Sequence, residues 1–172
     1  MLTPARLKNK FISKMISRFP SVAKHYIDAY KPWESKDIPW APVKKPLSES
    51  RVALVTTAGV HRKDQTPFNM HDTNGDPTFR KIERDTPVSD LTITHDYYDH
   101  TDADRDINIV FPVERLRELA SKGLIGSLAQ SHYGFMGHIT GPHIYTLSEV
   151  SAPEVASRMK KQEVDCVLLT PG

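Results

Sequence analysis

The chain has a single cysteine, Cys166, so it can close no internal disulfide and can build no dithiol redox centre from its own residues. No apolar run approaches the roughly 18 residues that a membrane helix needs, and the first residues lack the compact apolar block of a secretory signal. A cytoplasmic location is the expectation. None of the eight glycines falls into the spacing of a phosphate loop or a dinucleotide fingerprint, which argues against nucleotide binding. A net charge of +2 is too small to favour nucleic acid across the whole surface. Acids are missing from one region altogether: none precedes Asp28, whereas Arg6, Lys8, Lys10, Lys14, Arg18 and Lys24 do.

What is present fits one folded domain with a modest extension, since 172 residues with 38% hydrophobic and 26% charged side chains lie far from the composition of disorder. In the basic N-terminal stretch Leu7, Phe11, Met15, Phe19 and Val22 recur at three- and four-residue steps, which predicts an amphipathic helix that Pro20 kinks or divides. Three uses stand open: a docking helix with a solvated basic face, contact of residues 5–27 with an acidic membrane surface or a partner, and organelle targeting. Residues 31–49 hold Pro32, Pro39, Pro42 and Pro46 with Trp33 and Trp40 between them, and read as an extended arm pinned by two aromatic anchors. Residues 1–50 are therefore set apart from a domain at 51–172.

That domain alternates strands and helices. Residues 51–57 form a short β-rich apolar run, the profile of a strand buried on both faces. Residues 90–95 alternate apolar and polar, and 107–111 are a third strand candidate. The clearest helix is 112–122, with Val113, Leu116 and Leu119 on one face and Gly123 as C-cap. Residues 124–128 return as a strand, Ser151 and Glu154 have the spacing of a capping box before Val155, Ala156 and Met159, and 164–169 is a final buried strand. The fold class is α/β, a mainly parallel sheet flanked by helices with an N-terminal helical extension, because parallel neighbours need a crossover. Ligands in such sheets bind beyond the carboxyl ends of the strands.

Three segments sit there. Thr56, Thr57, Gly59, His61 and Arg62 make a donor-rich turn that either holds a carboxylate or is an ordinary strand exit. Residues 95–106 carry two histidines and five aspartates, open to three readings: a hydrogen-bonded structural loop, a loop for a substrate amine or a subunit, or a site for a hard metal. The metal reading lacks the spacing of an EF-hand or a helical zinc motif. Residues 132–143 add three histidines and three glycines, suited either to proton transfer or to fastening a long loop. His71-Asp-Thr-Asn-Gly-Asp-Pro77 reads as an Asn-Gly turn outside the site.

Taken together, Val52-Ala-Leu-Val-Thr-Thr-Ala-Gly-Val-His61, Tyr98-Asp-His-Thr-Asp102, Asp106-Ile-Asn-Ile-Val-Phe-Pro-Val-Glu-Arg-Leu-Arg117 and Gly123-Leu-Ile-Gly126 resemble the selenoprotein B family of glycine, sarcosine, betaine and D-proline reductases, nearest its proline-reductase-like branch. The resemblance runs from about Arg51 to Gly172 and leaves the first fifty residues outside it. It implies reductive cleavage of a C–N bond, with a selenocysteine or cysteine nucleophile just after a strand equivalent to 164–169 and a pyruvoyl group on a partner subunit. Here that strand runs into Thr170, Pro171 and Gly172. The expectation is that the redox residue follows Gly172, its UGA codon having been read as a stop, and that the 172-residue chain is inactive without it. Cys166 is a poor substitute, because it lies among apolar neighbours inside the strand.

On this reading Thr56, Thr57 and His61 help to form an anion-binding wall, Asp99 and Asp102 position an amine or a partner loop, and His132 donates a proton. The partners are a pyruvoyl-containing reductase subunit, a thiol electron donor or a second copy of the chain, and no metal is assigned. Two rivals stand beside it: a non-catalytic assembly subunit that docks through residues 1–50, and a metal-dependent hydrolase built on the Asp/His loop.

Overall fold

The computed structural model describes residues 3–29 and 41–172. Trp33, Trp40, Pro32 and Pro39, the heart of the expected arm, lie outside the described residues. The chain opens with α1 (Pro4–Arg18) and α2 (Pro20–Ala29), separated at Phe19 where Pro20 interrupts the helix. Then follow β1 (Arg51–Thr56), β2 (Val60–Arg62), β3 (Arg80–Glu83), β4 (Leu91–Ile93), α3 (Val113–Ser121), β5 (Ser127–Leu128), β6 (Ser131–Gly134), α4 (His143–Thr146), α5 (Ala152–Lys161) and β7 (Cys166–Thr170). Among the described residues no helix is long and apolar enough to cross a membrane.

β1 is the centre of the main sheet. Its residues 52–56 pair in parallel with all of β7 along one edge. β5 and β6 therefore share the other edge, β5 at the start of β1 and β6 at its end, both parallel to it. β3 closes that side antiparallel to β6, and β2 with β4 makes a separate antiparallel pair. The alternation of β1 decides its packing. Val52 and Leu54 join Phe111, Val113, Leu116 and Ile125 on the α3 side, while Ala53 joins Tyr133, Phe135, Val155 and Met159 on the α5 side. The α/β class, with a largely parallel sheet between helices, is what the sequence pattern predicts.

Several elements differ from the sequence reading. Residues 107–111 are not a strand: Ile107–Ile109 is a 3₁₀ turn, because the Asp106 carboxylate accepts from the Asn108 amide and Asn108 bonds Glu114, local partners that displace a sheet ladder. Ser151 caps nothing. It is helical (φ −71°, ψ −45°) inside one continuous winding from α4 through a π turn, Leu147–Ser151, into α5. The strand expected at 124–128 shrinks to two residues, and β6, read as loop, is a four-residue strand that pairs with both β1 and β3.

The final strand is also not an interior one among the described residues. β7 pairs only with β1, and Val167, Leu168 and Leu169 are exposed, Leu169 at 70%. The N-terminal helix reverses expectation too. α1 meets the body with Arg6, Lys10 and buried Ser13, and turns Leu7 and Phe11 outward. The cause is Asp96, a carboxylate buried in the body that needs a cation, and the basic face of the helix supplies it.

Candidate functional site

The carboxyl ends of β1, β6 and β7 meet on one side of the sheet and are tied together by backbone bonds. The Thr57 amide donates to Thr170 O (3.0 Å), the Phe135 amide to Thr56 O (2.8 Å) and the Gly59 amide to Phe135 O (2.8 Å). Gly59 takes a left-handed turn (φ +74°) so close to the next loop that a Cβ there would stand 2.5 Å from Thr94 O. The chain after β7 is drawn into the same place. A Cβ on Gly172 would lie 2.3 Å from the Cα of Ala58, and one on Gly137 would lie 3.1 Å from Thr57 O and 3.2 Å from Gly172 O.

The loop after β4 closes over these ends. His95 is buried at 3% exposure, its Nδ1 3.1 Å from the Tyr97 amide and its Nε2 3.2 Å from the Gly137 amide. Burial pushes its pKa down to about 4, with help from His138 and His100, so the ring is neutral near pH 7. Tyr98 packs edge-on to His95, donates its hydroxyl to Ala58 O at 3.1 Å, and has its own pKa raised by burial. Behind them Asp96 receives both Nε and Nη2 of Arg6. Tyr97 stacks on His138 with ring centroids 3.7 Å apart.

The turn at 71–77, set outside the site by the sequence reading, forms its far wall. Asn74 O accepts from the Thr140 amide, His143 Nε2 meets Asp72 at 2.8 Å, and His138 Nε2 meets Thr73 O at 3.1 Å. No local signal marks this pairing, because it joins residues more than sixty positions apart.

The residues singled out from the sequence are not all brought together. Thr57 stands exposed at the lip of the strand ends. Thr56 is fully buried, and its Oγ1 accepts from the Ala58 amide, which makes it a turn fastener rather than an open wall. His61 is 2% exposed and lies in β2, its Nδ1 donating to Arg62 O and its Nε2 accepting from Thr94 Oγ1. Burial lowers its pKa, and the ring ties β2 to the loop after β4 instead of facing a ligand.

His132 lies inside the core at 0% exposure: Nδ1 accepts from the Leu54 amide at 3.1 Å, and Nε2 has no partner among the described residues. Burial pushes its pKa down to about 4, and the structure does not bring it to the strand ends. Asp99 binds its own loop through the amide and hydroxyl of Thr101, bonds that hold its pKa below the usual range, and borders a cleft of about 150 Å³ with Lys10, Lys14 and His100. Asp102 faces solvent and pairs with Arg105. Among the described residues no three His, Cys, Asp or Glu side chains gather to hold a metal ion. His95, the best placed of the loop histidines, was not distinguished from its neighbours in the sequence; its only signal was standing last in the run at 90–95 read as a strand, and β4 in fact ends at Ile93.

Comparison with known proteins adds an independent finding. The family profile described as glycine/sarcosine/betaine reductase selenoprotein B matches residues 11–172. The D-proline reductase subunit gamma of Acetoanaerobium sticklandii is 44% identical over 133 residues, covering 77% of this chain and 53% of that protein. A glycine reductase complex component B subunit gamma from Symbiobacterium thermophilum is 33% identical over 138 residues, 77% of this chain and 31% of its own length. A betaine reductase complex component B subunit beta from Peptoclostridium acidaminophilum is 31% identical over 141 residues, 76% of this chain and 29% of its own. The chain thus spans about half the length of the first of these relatives and about a third of the others. No solved structure matches it.

Proposed function

The chain belongs to the glycine/sarcosine/betaine reductase selenoprotein B family, and from that premise we propose that it forms part of a subunit of a cytoplasmic reductase complex acting on a C–N bond of a glycine-, betaine- or proline-like substrate. The observation that carries the reading is the meeting of strand ends at Gly172, packed on Ala58 and beside Gly137 and His95. Any residue joined to Gly172 emerges there. A selenol or thiol at that point would supply an ionised, polarizable nucleophile, and a pyruvoyl group on a partner subunit would hold the substrate amine. The site suits such a group: it is lined by glycine backbone, roofed by the neutral ring of His95, and bordered by the exposed Thr57.

In this reading the chain's own residues orient and exclude water. Tyr98 and His95 cover the strand ends, Thr57 offers a hydroxyl at the lip, and Asp99 faces an amine or the partner loop across the cleft beneath α1. Cys166 is not the nucleophile, because it sits opposite Val52 within β7 and packs on the core. The test is to read the codon after that of Gly172 and to translate through it with selenium supplied. Selenium or a new cysteine in the product, and reduction of D-proline, glycine, betaine or sarcosine by dithiothreitol with the partner subunit, is the expected result. A TAA or TAG codon there, or no continuing frame, refutes the redox residue.

A second reading is favoured by one observation, the outward Leu7 (54% exposed) and Phe11 (65%) of α1. In it the chain is a non-catalytic assembly subunit. Size-exclusion chromatography with and without residues 1–50 separates the two, since only an assembly role requires the complex to fall apart on truncation.

A further inference from the structure

β7 has the composition of a central strand and the position of an edge. Cys166, Val167, Leu168 and Leu169 are apolar without a break, as in parallel sheets covered on both faces. Among the described residues β7 pairs with β1 alone, so its other edge turns a row of backbone N–H and C=O groups outward. Val167 is 38% exposed, Leu168 39% and Leu169 70%. Natural edge strands guard against stray pairing with charges, proline or a bulge. β7 carries neither charge nor proline, and it keeps an unbroken register with β1.

The hand of the sheet says on which face a cover belongs. From β1 the chain reaches β5, on the side of β1 away from β7, by way of α3, which packs on the face of Val52 and Leu54. From β6 it returns across β1 to β7 by way of α5, which packs on the face of Ala53 and Val55. Steps in opposite directions over opposite faces share one hand, as right-handed crossovers require. A further step in the direction of the last one therefore lays its helix on the α5 face. Val167 stands opposite Ala53 and Leu169 opposite Val55, so Leu169, the most exposed residue of the strand, looks out on that face. A crossover helix with its strand needs roughly thirty residues. The D-proline reductase subunit gamma has the length for it, since the match covers only 53% of that protein.

We propose that the outer edge of β7 pairs in parallel with a strand of the same polypeptide that follows Gly172, and that the helix leading to it lies beside α5 over Val167 and Leu169. This pairing rests on the function proposed above only in that the chain continues past Gly172; it needs no selenol or thiol there. β7 is then an interior strand of a wider sheet, and the strand ends around Gly172 and Ala58 lie toward the middle of that sheet instead of at its margin.

The test compares the 172-residue chain with the protein translated past Gly172, the codon after Gly172 being changed to alanine, both at concentrations where sedimentation finds monomers. Hydrogen exchange at the β7 amides that do not donate to β1 should slow roughly tenfold or more in the longer protein. Leu169→Asp should leave the urea midpoint of the 172-residue chain unchanged, and should lower that of the longer protein and abolish the added protection. Leu124→Asp, at a site 57% exposed and away from β7, should change neither. Protection that appears in the 172-residue chain as its concentration rises assigns the edge to a second copy, and protection only on adding the partner subunit assigns it to that subunit; either overturns the proposal. Equal exchange in the two monomers overturns it as well, and leaves the redox residue to its own codon test. Protection by a product whose natural codon after Gly172 encodes neither selenocysteine nor cysteine refutes the redox residue and keeps the strand. A TAA or TAG codon with no continuing frame overturns both.

Discussion

Arg6 of α1 reaches into the body and holds Asp96 with two nitrogens, Nε at 2.5 Å from one carboxylate oxygen and Nη2 at 3.3 Å from the other, while Asp96 keeps only 2% exposure. The basic N-terminal helix is thereby fastened to the residue next to His95. The family profile begins at residue 11, within this helix, so most of the helix belongs to the matched stretch that was expected to start near Arg51, and Arg6 just ahead of it supports the loop over the strand ends.

Removing one partner of that pair should be worse than removing both. Arg6→Ala leaves the buried carboxylate with Lys10 at 3.7 Å in place of two close nitrogens and should destabilise the chain by about 3 kcal/mol, whereas Arg6→Ala with Asp96→Asn should recover a good part of the loss. Urea unfolding of the three variants measures it, and limited proteolysis should show α1 cut first in the single variant.

Stability should fall on mild acidification. His95 and His132 titrate at about 4 when folded and near 6.5 when unfolded, because burial disfavours the charged ring. The unfolded chain therefore takes up protons that the folded chain refuses between those values. The contribution is complete above about pH 6.5 and declines as pH drops toward 4, by up to about 3 kcal/mol per ring. Urea midpoints from pH 7.5 to 5 should show the decline, and His132→Gln should flatten it.

Gly59→Ala should be costly for its size. Its left-handed backbone and the 2.5 Å approach of a Cβ to Thr94 O together imply a loss of about 2 kcal/mol or more. Thermal unfolding should shift down by roughly 5 °C. Gly123→Ala shares the left-handed φ (+68°) but meets nothing within 4 Å, so the smaller loss there isolates the strain from the clash.

Asp102 and Asp99 should separate in the reductase activity proposed above. Among the described residues Asp102 pairs with Arg105 in solvent, and Asp102→Asn should leave turnover within about twofold, since exposed pairs contribute little. Asp99→Asn, on the cleft with Lys10 and Lys14, should lower it if that cleft faces the amine or the partner. Steady-state rates with D-proline and with glycine provide the comparison.

Much of the frame was legible. The run at 51–57 had to be a buried strand, and the helix from Val113 to Ser121 with Gly123 behind it showed in its apolar spacing and its cap. β6 was hidden because Ser131, His132, Tyr133 and Gly134 look polar and loop-like, yet all four are buried against β1 and β3. The outward turn of Leu7 and Phe11 was hidden for the opposite reason: helical periodicity locates an apolar stripe but cannot tell what the opposite face will meet.

By itself the sequence determined the α/β class, the central strand and the family resemblance, and it set the expectation that chemistry lies at the carboxyl ends of the strands. These follow from local properties, the alternation of side chains and the conformational demands of proline and glycine. Which histidine stands there was decided only by tertiary structure. His61, His95 and His132 are alike in type and in burial, but only His95 meets Gly137 beside Gly172, because pairing of β1 with β6 and β7 brings together segments more than forty residues apart.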